Sequence, residues 1–292
     1  MICEITILSG KGGTGKTSVT AALAQIAGNA VFSDCDVDAS DLHLLLTPEI
    51  KEEHEFAGGR KAWINPAKCI SCGICQDACR FDAIHKINGH AFYVNPFQCE
   101  GCRLCERICP ASAITSSEPM NNRWFVSETR FGTMVHARMA PGEENSGKLV
   151  TAVREKAREL AEDSGYDYII NDGPPGIGCP VIASLTGVNK VLMVIEPTKS
   201  GLHDMERLSE LTRKFGIRTY ALINKADLHP GLTASVSNRL KELEISCLGE
   251  IPFDENFVKA MVSGQTILEY VPDSASSLII REAWNALVMD VN

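Results

Sequence analysis

Several things are missing from this 292-residue chain, and each absence removes a class of protein. No apolar run approaches the ~20 residues that cross a bilayer, so no membrane-spanning helix is expected. No long basic patch offsets the formal net charge of −9, which argues against general nucleic-acid binding. The chain starts directly in a short apolar run, Ile2–Leu8, broken by Glu4 and Thr6, and nothing there reads as an export signal. The seven histidines show no ligand spacing among themselves. The last helical stretch, 276–288, is not basic, so recruitment to a membrane surface is not expected either.

Cysteine, by contrast, is abundant. Of twelve cysteines, eight lie in two tight groups, and Cys3, Cys35, Cys179 and Cys247 are scattered. Without an export signal, such clustering reads as metal binding and not as a disulfide framework. The expected compartment is the cytoplasm.

The chain is organised around Gly10-Lys11-Gly12-Gly13-Thr14-Gly15-Lys16-Thr17, with Ser18 opening the helical run Ser18–Ala27. Strand, glycine loop and helix together form the context of a phosphate-binding loop. Glycines let successive N–H groups turn toward phosphate oxygens, and the helix N-terminus adds partial positive charge. Lys16 is expected to reach the β/γ-phosphates and Thr17 to ligate Mg²⁺. A second apolar strand, Tyr166–Asn171, ends in Asp172-Gly173-Pro174-Pro175-Gly176. Asp172 is expected at the Mg²⁺, and Gly173 to sense the γ-phosphate through its N–H. Ala30–Ser33 leads into Asp34-Cys35-Asp36-Val37-Asp38, carboxylates at the C-terminal end of a strand, where ligands bind in parallel α/β sheets. Asp38 or Ser40 could instead cap the next helix, 41–46.

The two-lysine loop resembles the MinD/ParA family of P-loop ATPases. That resemblance implies an ATP-sandwich dimer in which Lys11 acts on the nucleotide of the partner chain. It also implies that Asp36 orients the attacking water, that Asp34 supports the Mg²⁺ site, that Asn224 contacts adenine, and that the loop at Pro252 lies over the base. Lys11, Lys16, Asp36 and Asp172 are the expected catalytic set. Asn224-Lys225-Ala226-Asp227 also matches the letters of a guanine-reading motif, but the two lysines favour ATP.

The cysteines follow a 30-residue repeat: Cys69-x2-Cys72-x2-Cys75-x3-Cys79, then Cys99-x2-Cys102-x2-Cys105-x3-Cys109-Pro110. Asn65-Pro66 and Ala83-Ile84 flank the first set as Asn95-Pro96 and Ala113-Ile114 flank the second. This is the two-cluster bacterial ferredoxin pattern, in which the fourth cysteine of each run serves the other cluster. One [4Fe–4S] cluster is expected on Cys69, Cys72, Cys75 and Cys109, the other on Cys99, Cys102, Cys105 and Cys79. Zinc is the rival ligand, but its sites draw ligands as separated pairs. Arg80 stands where the pattern has proline, a cation that would favour the reduced state of its cluster. Phe81, Phe92 and Val94 are expected to shield the clusters.

Lys51–Arg60 reads as a charged, Gly-rich linker, and Pro141–Gly147 as a polar loop. Strands are expected at Arg123–Val126 and Met134–Ala137, and an amphipathic helix at Lys148–Glu162. The expected fold is a doubly wound, mainly parallel α/β P-loop NTPase (1–60 and 117–292) interrupted by an α+β ferredoxin-like insert (61–116). The whole chain resembles MinD-superfamily ATPases that carry such an insert. The resemblance implies ATP/ADP, Mg²⁺ and two clusters as cofactors, a dimer with itself or a similar chain, and a redox or metal-cluster protein as partner. Three functions follow: ATP-gated electron transfer, assistance in cluster assembly or delivery, and positioning with redox-sensing clusters. Cys179, just past the second loop, could bridge a cluster between subunits, but relatives that do so use two cysteines per chain.

Overall fold

The computed structural model describes residues 2–87, 91–140 and 146–289. Its strands are β1 (Cys3–Ser9), β2 (Ala30–Asp34), β3 (Glu49–Phe56), β4 (Lys61–Ile64), β5 (Ile84–Ile87), β6 (Ala91–Val94), β7 (Ile114–Ser117), β8 (Asn122–Thr129), β9 (Gly132–Arg138), β10 (Tyr168–Pro175), β11 (Lys190–Ile195), β12 (Arg218–Asn224) and β13 (Ser246–Ile251). The chain divides into two compact units, one of Met1–Glu53, Trp124–Ala137 and Gly147–Asn292, the other of His54–Arg123 and Arg138–Ser146. The second unit is wider than the expected 61–116. Its arms travel with it, held together where Arg60 Nε meets Glu118 Oε1 at 2.8 Å.

The first unit is built on a nine-stranded sheet in the order β13-β12-β11-β1-β10-β2-β9-β8-β3. The pairs from β13 to β9 are parallel. Period two sorts the buried strands between two cores. On β11, Leu192 and Val194 face a cluster with Val19, Leu23 and Trp284, while Val191 and Met193 face one with Leu185, Leu208 and Val236. Helices therefore cover both faces, and a strand such as Lys190–Ile195 can be buried throughout. No helix among the described residues is long and apolar enough to cross a membrane.

Three expectations change. Lys51–Arg60 is not a linker: its first half is the edge strand β3, whose exposed charged side chains are tolerated because only one of its edges is paired. The expected strands at 123–126 and 134–137 are longer, β8 and β9, joined by a turn at Arg130-Phe131. The strand expected to stop at Asn171 runs on to Pro175. The loop expected at 141–147 falls mostly outside the described residues.

The second unit shows its repeat in space. β4 pairs antiparallel with β7, and β5 with β6. Asn65 N–H donates to Ala113 C=O at 2.8 Å, and Asn95 N–H to Ala83 C=O at 2.7 Å, the same bond made twice with the halves exchanged. The left-handed residues also recur 30 apart, at Ser71 and Gly101, Gly73 and Arg103, Asp82 and Ser112. The core is small: Ile64, Cys75, Ile84, Phe92 and Ile114.

Candidate functional site

β1 ends at Ser9 and the helix Lys16–Ala27 begins seven residues later, with Gly13 and Gly15 at φ 78° and 92° between them. Gly15 needs its missing side chain twice over, for the positive φ and because a Cβ there would collide with the Asn224 amide. A cavity of about 430 Å³ opens over this loop. Its walls include Gly12–Ser18, Asp36, Asp41, Pro175, Asn224, Lys225 and Asp254, with Phe253, Phe257, Val258 and Met261. Charged and apolar groups both line it, the mixture that a polyphosphate joined to a base would need. A larger hollow, of about 690 Å³, lies where β12 and β13 begin, at the other end of the strands. Arg239 there is already paired with Glu206 and Glu242, and ligands of parallel sheets sit at the C-terminal strand ends instead.

Lys16 Nζ lies 3.0 Å from Asp172 Oδ1 and 3.7 Å from Asp36 Oδ2. Thr17 Oγ1 donates to Asp172 Oδ2 at 2.8 Å, and Thr20 Oγ1 to Asp172 Oδ1 at 2.7 Å. Burial favours neutral amine, yet the carboxylates of Asp172, Asp36 and Asp34 outweigh it and hold Lys16 above the usual lysine range. Burial, with Asp172 nearby, pushes Asp34 up to about 7. Burial also raises Asp36 to about 6, against the pull of Lys16. Three carboxylates thus share one ammonium away from water. Surplus negative charge of this kind fits a place that accepts a divalent cation. Among the described residues no three such side chains converge on one point.

Several expected residues make contacts of their own within the fold. Asp34 is fully buried and holds the following loop: it accepts from Ser40 Oγ at 2.7 Å, Leu42 N at 3.2 Å and Asp36 N at 3.1 Å. It thereby satisfies the first N–H of the helix Leu42–Leu46, the task expected of Asp38 or Ser40. Gly173 lies inside β10, where a Cβ would strike Leu8 and the Ile7 carbonyl, so packing against β1 accounts for the glycine. Asn224 donates to Thr14 C=O at 2.7 Å and accepts from Lys225 N at 3.0 Å, so its amide braces the loop. Phe253 and Asp254, which follow Pro252 in the same loop, line the cavity. Lys11 is held at 3.1 Å by Glu196 Oε2. Thr20 and Glu196 were not singled out from the sequence. Thr20 stands one helical turn after Lys16 and Thr17, a signal that was readable; Glu196 carried none.

The cysteines of the second unit gather in two hollows. Cys69, Cys72, Cys75 and Cys109 line one, with Ile64, Ile74 and Phe92. Cys79, Cys99, Cys102 and Cys105 line the other, with Phe81, Ile84 and Val94. Backbone N–H groups point at sulfur: Ala83 to Cys79 at 3.4 Å, Ala113 to Cys109 at 3.3 Å and Ala62 to Cys99 at 3.5 Å. Burial pushes the Cys105 thiol up to about 11 and raises Cys75 as well. Four thiols per hollow is the number that a [4Fe–4S] cluster takes. Each cubane thiolate binds a different iron, so four sulfurs around a hollow, rather than three donors on one point, is the requirement. Cys179 is exposed at the start of the helix Cys179–Leu185.

Residues 5–267 match the family described as CobQ/CobB/MinD/ParA nucleotide binding domain. An uncharacterised protein of Methanocaldococcus jannaschii, MJ0578, is 36% identical over 236 residues, covering 78% of this chain and 80% of that protein. The cytosolic Fe-S cluster assembly factor NBP35 of Eremothecium gossypii is 28% identical over 138 residues, 41% of each chain. Among solved structures, MinD of Pyrococcus horikoshii complexed with Mg-ADP superimposes with TM-score 0.58 at 19% identity, over 98% of this chain and 96% of that one. The MinC:MinD cell division protein complex of Aquifex aeolicus gives 0.60 at 18% identity, over 99% and 97%.

Proposed function

The chain belongs to the CobQ/CobB/MinD/ParA nucleotide-binding family, as a P-loop ATPase of MinD/ParA type, and from that premise we propose that it couples ATP hydrolysis to one-electron transfer through two [4Fe–4S] clusters. The observation that carries the cluster half is the sorting of eight cysteines into two apolar hollows, each with three from one run and one from the other. This exchange follows from the spacing and ties the two halves of a small unit together.

In the first unit the loop N–H groups and Lys16 bind the β- and γ-phosphates, and Thr17 and Asp172 would hold Mg²⁺. The metal, when bound, offsets phosphate charge. Lys16 must then leave Asp172 for the nucleotide, so the internal ion pair is exchanged for phosphate contacts. Asp36, at the cavity wall, accepts a proton from or orients the attacking water. Asn224 and Lys225 brace the loop from below, and Phe253, Phe257 and Met261 seat the adenine. Lys11 reaches the nucleotide of a second copy, making a sandwich dimer. In the second unit the eight cysteines would hold the clusters, with Phe92, Phe81 and Val94 beside them. Bound there, the clusters would supply one-electron chemistry between a donor and an acceptor protein, timed by the dimer cycle.

The similarity to an Fe-S cluster assembly factor favours a second reading, delivery of a cluster to a recipient protein. An anaerobic redox titration read by EPR, with MgATP and then with MgADP, separates the two. Coupling predicts a shift of about 60 mV, a tenfold change in a one-electron equilibrium. No shift, together with iron moving to an apo acceptor, favours delivery. Lys16→Ala should cut ATP turnover by about a thousandfold, the scale of losing one strong transition-state contact, while eight irons per chain remain. Loss of iron in that variant would show that the two modules are not independent.

A further inference from the structure

We propose that Glu196 is a latch on the phosphate loop. It holds Lys11 on its own chain and sets how much nucleotide is needed before two copies pair. The inference rests on the pairing reading above. Glu196 directly follows β11, the sheet neighbour of β1, so its side chain rises beside the loop that β1 feeds. Its Oε2 lies 3.1 Å from Lys11 Nζ and its Oε1 3.5 Å from Lys225 Nζ. Lys225 also donates to Gly13 C=O at 3.0 Å. One carboxylate therefore bridges two ammonium groups, one growing from the loop and one gripping its backbone.

Lys11 has a second tie. Its Nζ lies 3.2 Å from Thr198 Oγ1, the oxygen that caps the helix Lys199–Lys214 by accepting from Gly201 N at 3.0 Å. Lys11 is thus fastened to the first turn of that helix. The side chains of Lys11 and Glu196 are 33% and 19% exposed, so the pair can exchange with an incoming anion without unfolding. A polyphosphate carries more negative charge than one carboxylate and displaces Glu196 from Lys11. The free energy of the lost pair is subtracted from the pairing equilibrium, since only the released lysine is competent. Release also frees Thr198 from Lys11, so the helix Lys199–Lys214 registers whether the loop lysine is engaged.

The test titrates wild type, Glu196→Gln and Glu196→Asp with MgATPγS, measuring mass by light scattering and binding with a fluorescent ATP analogue. For a partly exposed ion pair, Glu196→Gln should lower the nucleotide concentration at half-maximal pairing about threefold. Glu196→Asp keeps the charge but cannot span both lysines, and should lower it by less. A purely structural glutamate would change stability and leave this midpoint in place. An unchanged or raised midpoint in the variants overturns the latch while pairing stands. A wild-type chain that binds the analogue and stays monomeric overturns the pairing reading and the latch with it. If Glu196→Gln folds poorly, Glu196→Asp decides alone.

Discussion

The two units solve the problem of stability in opposite ways. The first buries two apolar clusters against a nine-stranded sheet. The core cluster of the second gathers, among the described residues, five buried side chains, one of them a cysteine, between pairs of four-residue strands. A core of that size is small against chain entropy, and on the function proposed above bound clusters would supply the difference. Polar groups divide the same way. In the first unit a buried carboxylate, Glu4, is fully answered: Arg154 Nη2 at 2.6 Å, Arg158 Nε at 2.7 Å and Asn171 Nδ2 at 2.7 Å. In the second, burial raises the thiols of Cys105 and Cys75, so as free groups they stay protonated.

The sharpest way to break the comparison is to remove the metal. Anaerobic chelation should convert residues 61–116 to a protease-sensitive state while nucleotide binding by the first unit changes less than about twofold. Limited proteolysis with mass spectrometry reads both at once. Persistence of the folded second unit without metal would show that its own core suffices.

A smaller effect belongs to the first unit alone. Glu4→Gln leaves Arg154, itself buried, without its counter-charge, and should cost about 3 kcal/mol of unfolding free energy in a urea titration. Cluster spectra should be untouched until the first unit begins to unfold.

The smallest is a pH effect. Arg130 grips Glu269 through Nε and Nη2 at 2.7 and 2.6 Å, and also reaches Leu45 C=O and Thr47 Oγ1. Burial opposes the charge on Glu269, but Arg130 and the Thr266 N–H outweigh it and hold the carboxyl below its ordinary 4.5. A lowered carboxyl contributes stability that is present above the ordinary value and drains away as pH falls through the lowered one. Because the group is partly solvated, the contribution is on the order of 1 kcal/mol. Arg130→Ala should remove it at pH 7 and flatten the stability–pH slope below pH 4.5, which chemical denaturation across pH can follow.

Legibility from sequence also divides between the units. In the second, ligand spacing is itself geometry, so Cys69–Cys109 could be sorted into two sets before any coordinates, and the hollows sort them alike. The phosphate loop was legible for the same reason, since Gly10–Thr17 are contiguous. Less was legible where a residue's role depends on what crosses over to meet it. Asn224 also braces Thr14, 210 residues away. Gly173 lies within a strand that continues through it and packs it against Ile7 and Leu8. The charged stretch 51–56 lacked the alternation of a half-buried strand because it forms an exposed sheet edge.

By itself, then, the sequence determined the phosphate loop, the acidic strand ends and the cysteine repeat, because in each the chemistry lies within one short segment and backbone geometry does the rest. Only the tertiary structure decided that Glu196 meets Lys11, that Thr20 joins Thr17 on Asp172, and that Glu4 is shared by Arg154 and Arg158. Those partners are separated by 150 or more residues and meet because parallel crossovers lay β11, β1 and β10 side by side, an order that no local pattern encodes.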